Sequence, residues 1–282
     1  MADITITAAM VQAFRKKTGF PMMECKKALQ EAGGDEDQAM EILRKMGRTK
    51  MEGRADRSTA AGLITVYSDP EQPVGTMIEL RCESAPVTQN DEFKQLAADL
   101  AQQLAKGPGA ATPEELLAQD SPSQAGKTLL DQMNDLSDRI REVFRLQRIV
   151  RVDGVCGAYM HHAGAPSVLV EVEGGTPELA KDVCMHVCAM NPAALSSDDL
   201  DPAVVAKERE ILTEIARGEG KPENIIEKMV EGRLRNFFAQ MCLLDQAFVK
   251  EQDKTVGAIA AEGGMKVLSF VRWDFENEED AE

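Results

Sequence analysis

Cysteine, histidine and a lysine behind a glycine are the residues of this chain whose spacing invites a chemical reading. Cys184 and Cys188 stand four apart, which on a helix places both thiols on one face, and His161 and His162 lie elsewhere in the chain. Thiolates and imidazoles are zinc donors, but a tetrahedral site usually presents a second close pair, and no Cys-x-x-Cys occurs. Free cysteines commonly pack as small apolar residues, and Val183 and Val187 give this segment a packing face. No metal and no cofactor are expected. Gly126-Lys127-Thr128 raises a phosphate loop, whose backbone amides cradle phosphates. That motif needs a glycine five residues before Gly126, where Ser121 stands, and a buried strand leading in, which Glu114 to Gln119 does not provide. A solvated helix start is expected there, and a nucleotide-hydrolysing enzyme is set aside. With three histidines and no nucleophile beside a base, hydrolytic or transfer chemistry has no support.

Chemistry being absent, the elements and their charge carry the reading. The 282 residues leave room for two or three domains with a buried core. No basic start followed by an apolar run marks a signal peptide, and no stretch reaches the ~18 apolar residues of a spanning helix. A soluble, cytoplasmic protein is expected, and six dispersed cysteines fit a reducing compartment. A net charge of −16 argues against direct binding to nucleic acid, because phosphate contacts need surplus Lys and Arg. The charge is uneven: Arg15, Lys16, Lys17, Lys26, Lys27, Arg44, Lys45, Arg48 and Lys50 make the start locally basic. The tail, residues 277–282, is acidic and expected to be disordered.

The start reads as three short helices. Thr7 to Lys17 carries Met10, Val11 and Phe14 at helical spacing and stops at Gly19. Pro21 suits the first turn of a second helix that ends at Gly33-Gly34. Asp35 caps a third, with Gln38 completing a capping box and Ala39, Ile42, Leu43 and Met46 facing inward. Residues 47–60 read as a linker or a solvated helical extension. Beyond them come a strand around Leu63 to Tyr67, a turn at Asp69 to Pro73, a strand from Val74 to Cys82 and an amphipathic helix from Asp91 to Lys106. The same order returns with Cys156 to His161, Ser167 to Val172 and a helix from Pro177 to Met190. Between the copies, Lys127 to Gln147 reads as one long helix with Leu129, Leu136, Ile140, Val143 and Phe144 on its apolar stripe. Val204 to Arg217 and Pro222 to Phe238 form an αα-hairpin, and a helix near Thr255 and a strand from Lys266 to Phe275 come after it. The fold class is therefore α+β, an internally duplicated core of antiparallel sheets each with a helix on one face.

TGFPMMECKKAL with GGD and LRKMG, then Tyr159-Met160-His161, Gly220-Lys221-Pro222, Glu227 to Arg233 and Asp253 to Gly257 resemble the elongation factor Ts family over nearly the whole chain. The resemblance implies a ubiquitin-associated-like (UBA-like) helical module with its linker at 1–54 and a core subdomain at 55–150. It implies a second core subdomain at 151–200 and 239–276, and a projecting coiled-coil hairpin at 201–238. It also implies a guanine-nucleotide exchange factor, active in the cytoplasm, that binds elongation factor Tu carrying GDP, disturbs Mg²⁺ and phosphate binding and lets GTP enter. The implied docking residues are Arg15, Met22, Met23 and Lys26, although local pattern expects at least one methionine inside the small bundle. His161 is read either as a structural residue at a strand end or, by resemblance, as a contact to the partner. The loop that dislocates Mg²⁺ in the family reads Thr-Asp-Phe-Val; here the same register holds Ser84, Ala85, Pro86 and Val87, with Asn90-Asp91-Glu92-Phe93 after it as expected. A proline is stiff but presents less apolar area than a phenyl ring. The alternative reading, a non-catalytic adaptor or chaperone of elongation factor Tu, rests on that departure. Whether the hairpin's apolar face meets a twin, giving a homodimer, or the partner stays open.

Overall fold

The computed structural model describes residues 5–54, 56–69, 72–161, 165–220 and 222–275. The acidic tail, His162, Lys221, residues 70–71 of the first turn and the side chains of Arg48 and Lys50 lie outside the described residues. The chain splits into two compact units, Met1–Thr65 with Met77–Val150, and Val66–Thr76 with Arg151–Phe275.

In the first unit, α1 (Ala8–Thr18) starts where the Thr7 hydroxyl accepts the Met10 amide at 3.3 Å. It ends at Gly19, whose φ of 75° favours a residue without Cβ. Pro21 stands immediately before α2 (Met22–Glu31), and Asp35 opens α3 (Glu36–Glu52) by accepting the Gln38 amide at 2.9 Å. The helix continues to Glu52, so the first part of the polar stretch after Met46 is helical. Val11, Phe14, Phe20, Cys25, Leu29 and Leu43 close the core of these three helices. Neither methionine fills it. Cys25, Ala28 and Leu29 set the inward face of α2, leaving Met22 47% and Met23 72% exposed.

The chain then runs through β1 (Ala61–Asp69), β2 (Val74–Cys82), α4 (Asp91–Lys106), the short α5 (Pro113–Leu117), α6 (Leu129–Ile140) and β3 (Phe144–Val152). The long helix expected over 127–147 is corrected here. Thr128 caps α6 through a capping box with Asp131, and Arg141 ends it in the left-handed region at φ 69°. A strand comes next, in which Phe144 and Leu146 alternate as buried residues. Their spacing from Leu136 and Ile140 imitated a helical stripe. The sheet order is β1-β2-β3, and the central β2 is buried at all nine positions. Glu79, 1% exposed on β2, is paired by Arg81 two residues on and by Arg148 of β3 at 2.6 Å. A buried carboxylate left without those partners would be costly, so the pairs fix how β2 and β3 meet.

The second unit repeats the order with β4 (Cys156–Met160), β5 (Ser167–Gly174) and α7 (Pro177–Met190). The hairpin α8 (Pro202–Gly218) and α9 (Glu223–Met241) comes next, then β6 (Ala247–Phe248), β7 (Glu251–Thr255), α10 (Val256–Glu262) and β8 (Met265–Trp273). The sheet order is β4-β5-β8, antiparallel throughout, so in each of the two three-stranded sheets the second strand is central and a late strand closes the edge, while β6 and β7 pair by themselves. Helices α8 and α9 run in opposite senses, since Arg209 pairs with Glu231 and Arg217 with Glu223. Ala216, Ile226, Val230 and Leu234 form their seam, while Val204, Ile211 and Ile215 stay exposed.

His186 of α7 is fully buried. Its Nε2–H donates to Gln246 Oε1 at 2.9 Å and its Nδ1 accepts the Val249 amide at 3.3 Å, a pattern that fits the neutral ring. Burial holds its pKa below the ordinary value, partly offset by the bond to Gln246. Below about pH 6.5 the unfolded chain therefore binds more protons than the folded one, and stability falls as pH falls through the folded value. The denaturant midpoint of this unit is expected to drop between pH 7 and 5, with a flatter slope in His186→Gln. An equal slope in both proteins contradicts the assignment.

Candidate functional site

Strand β2 ends at Cys82, and the chain turns outward before α4. A single 3-10 turn, Ala85–Gln89, forms with Pro86 in its first positions, where a missing N–H is harmless. Val87 is 8% exposed and anchors the turn inward, while Ala85 and Pro86 are exposed at its apex. The Thr88 hydroxyl closes the turn on the Ala85 carbonyl at 2.8 Å. Asn90 then caps α4 by accepting the amides of Glu92 at 2.8 Å and Phe93 at 3.2 Å. Of the four residues expected in this loop, two hold it and two are presented.

Ser84 is held at both polar ends. Its amide donates to Glu142 Oε2 at 3.0 Å, and its hydroxyl donates to the other oxygen of that carboxylate. The preceding Glu83 accepts from Arg54 Nη2 at 2.7 Å and from the Val143 amide at 2.8 Å. Burial raises the Glu83 pKa, but Arg54 and the Val143 amide together hold it below the usual carboxylate range. Burial pushes the Cys82 thiol up to about 12, with the Glu142 charge adding to the effect, so this sulfur is a neutral packing group and no nucleophile.

The docking candidates sit on the three-helix part of the same unit. Arg15 is exposed in the last turn of α1. Met22, Met23 and Lys26 are all exposed on α2, at the three- and four-residue spacings that share one helix face. Glu24, between them in sequence, points elsewhere: it pairs with Arg141 at the end of α6. The Arg141 guanidinium also lies over the Phe20 ring, 5.6 Å from its centroid. Helix α3 approaches the same α6, because a Cβ on Gly47 would stand 2.7 Å from Asp138 Cγ. Neighbouring residues 141 and 142 thus reach α2 and the loop respectively.

His161 comes directly after β4 in the second unit, half-buried, its amide donating to the Pro166 carbonyl at 3.2 Å. Burial raises the thiols of both Cys184 and Cys188, His186 spends both ring nitrogens on Gln246 and Val249, and among the described residues no group of three or more His, Cys, Asp or Glu is placed to hold a metal ion. Lys127 pairs with Asp135, and the element before it is the helix α5, where a phosphate loop would need a strand. Among the described residues no helix is long and apolar enough to cross a membrane. Sequence reading missed Arg54, Glu83, Arg141 and Glu142, whose partners are remote in the chain. The available signal was weak, a Glu-Ser pair before the loop and an Arg-Glu pair after a helix.

A family model described as "Elongation factor TS" matches residues 83–277. Elongation factor Ts of Methylococcus capsulatus is 39% identical over 274 residues, covering 96% of this chain and 92% of the relative. That of a Ruegeria species is 41% identical over 275 residues, covering 95% and 92%. That of Alkalilimnicola ehrlichii is 39% identical over 273 residues, with 96% and 92% covered.

Proposed function

This chain belongs to the elongation factor Ts family, and we propose on that premise that it binds elongation factor Tu carrying GDP and promotes release of the nucleotide during translation elongation. The observation that carries the docking half is the exposure of Met22 and Met23, which the fold does not use for its own core. Methionine adapts to an apolar partner surface, and Arg15 and Lys26 beside it steer an acidic one. The apex Ala85-Pro86 then acts on the partner's nucleotide domain and weakens its hold on Mg²⁺ and phosphate, with His161 a supporting contact. No bond is made or broken and no cofactor is needed; the chain lowers a barrier and the nucleotide pool sets direction. The coupling is reciprocal, so GDP weakens binding of the chain by the same ratio as the chain weakens binding of GDP.

Mixing the chain with GDP-loaded elongation factor Tu and separating by size tests this. A joint complex stripped of GDP, which splits on adding GTP, is the expected result. A joint complex that keeps GDP favours an adaptor or chaperone and overturns exchange; separate elution overturns the partner. The apex makes a finer prediction. Pro86→Phe enlarges the presented apolar area, and with ~1 kcal/mol of added burial the maximal GDP-release rate rises about fivefold. An unchanged rate removes the apex from the mechanism.

A further inference from the structure

The turn after α6 carries more than a change of direction. Its residue 141 stands in the left-handed region, φ 69° and ψ 33°, where a helix end usually places glycine. Here an arginine takes that strained conformation, and strain of this kind is kept where the side chain has work to do. Arg141 donates to Glu24 of α2 and covers the Phe20 ring, yet its Nε and Nη1 are buried without a hydrogen-bond partner among the described residues. One position along, Glu142 takes both the amide and the hydroxyl of Ser84. The Ser137 hydroxyl fixes the turn itself by donating to the Glu142 carbonyl at 2.6 Å.

We propose that Arg141 and Glu142 form a clip that fixes the 84–87 loop to the docking helix, so that seating of Met22 and Met23 places the loop against the partner. They are positioning residues: neither is presented to the partner, and each acts through a group that is. The proposal rests on the exchange reading above. In its absence the helices would keep only the packing of α3 on α6 and the Arg54–Glu83 pair, and less of the docking energy would be spent on orienting the loop. Binding would survive while the loop's action became a separate, slower event.

Arg141→Gly is the direct variant, because glycine suits the left-handed position and removes the guanidinium without straining the turn. Glu24→Gln removes the same pair from the other side and leaves the turn untouched. In stopped-flow release of labelled GDP from elongation factor Tu, each variant lowers the maximal rate at least about fivefold while the half-saturating concentration stays within about threefold. In a third variant, Glu142→Ala, which removes the acceptor of the Ser84 amide and hydroxyl, amide hydrogen exchange of the free full-length chain quickens at residues 85–89. A maximal rate equal to wild type in both variants overturns the clip. So does a loss in which rate and half-saturation worsen together with the melting temperature, the mark of a merely structural role. If the wild-type chain itself gives no acceleration, the exchange reading falls alone. The clip is then judged by hydrogen exchange, where faster exchange at 85–89 upholds it and unchanged exchange overturns it.

Discussion

Changing Met22 and Met23 together to Ala is expected to raise by about 100-fold the chain concentration giving half-maximal GDP release. Both side chains stand in solvent in the free protein, 47% and 72% exposed. Covering them with an apolar partner surface removes that area from water, worth ~1–2 kcal/mol for each, or ~3 kcal/mol for the pair. That free energy is a little over two decades in affinity at ~1.4 kcal/mol per decade. Because the three-helix core closes on Phe14, Phe20, Cys25 and Leu29 without them, the free variant keeps its melting temperature. The maximal rate at saturation should change little, since the loop is untouched. A half-saturating concentration within threefold of wild type would remove α2 from the docking surface.

Phe93→Ala is expected to act on the fold itself, with the largest loss of stability of any change considered. Phe93 is fully buried at the start of α4 and meets Phe144 of β3 edge to face, with centroids 5.0 Å apart and planes at 68°. Truncating a buried phenylalanine costs ~3–5 kcal/mol, set against total stabilities of ~5–15 kcal/mol. The first unit should melt about 10 °C or more below wild type. Calorimetry checks it: a shift under ~2 °C would mean the site collapses around the gap or is not core.

Range along the chain decided which features were legible in the sequence and which were hidden. Helix α4 was legible because its signal is local, with Phe93, Leu96, Ala97, Leu100 and Leu104 on one face, while its cap at Asn90 came only with the structure. The strands of both hairpins were legible for the same reason. The end of α6 was not, since Arg141 adopts a glycine-like conformation with no glycine to announce it. Val143 and Phe144 then extended the helical spacing by coincidence, hiding β3. The exposure of Met22 and Met23 was a matter of which residues won the inward face of α2, and Phe20 with Cys25 decided that in three dimensions. The clip was beyond any local reading. Ser84 and Glu142 are separated by 58 positions and Glu24 and Arg141 by 117, and each is an ordinary polar residue where it stands. The loop's register at Ser84 to Val87 was legible, but which of its residues hold and which are presented needed coordinates.

The central claim is that this chain speeds nucleotide release from its partner. It is tested most directly by rapid mixing of elongation factor Tu, loaded with fluorescent GDP, with increasing amounts of the wild-type chain and excess unlabelled nucleotide. The release rate is predicted to climb with chain concentration and level off at a maximum far above the spontaneous rate. A release rate that stays at the spontaneous value at every concentration, with the two proteins nonetheless bound to each other, would contradict it.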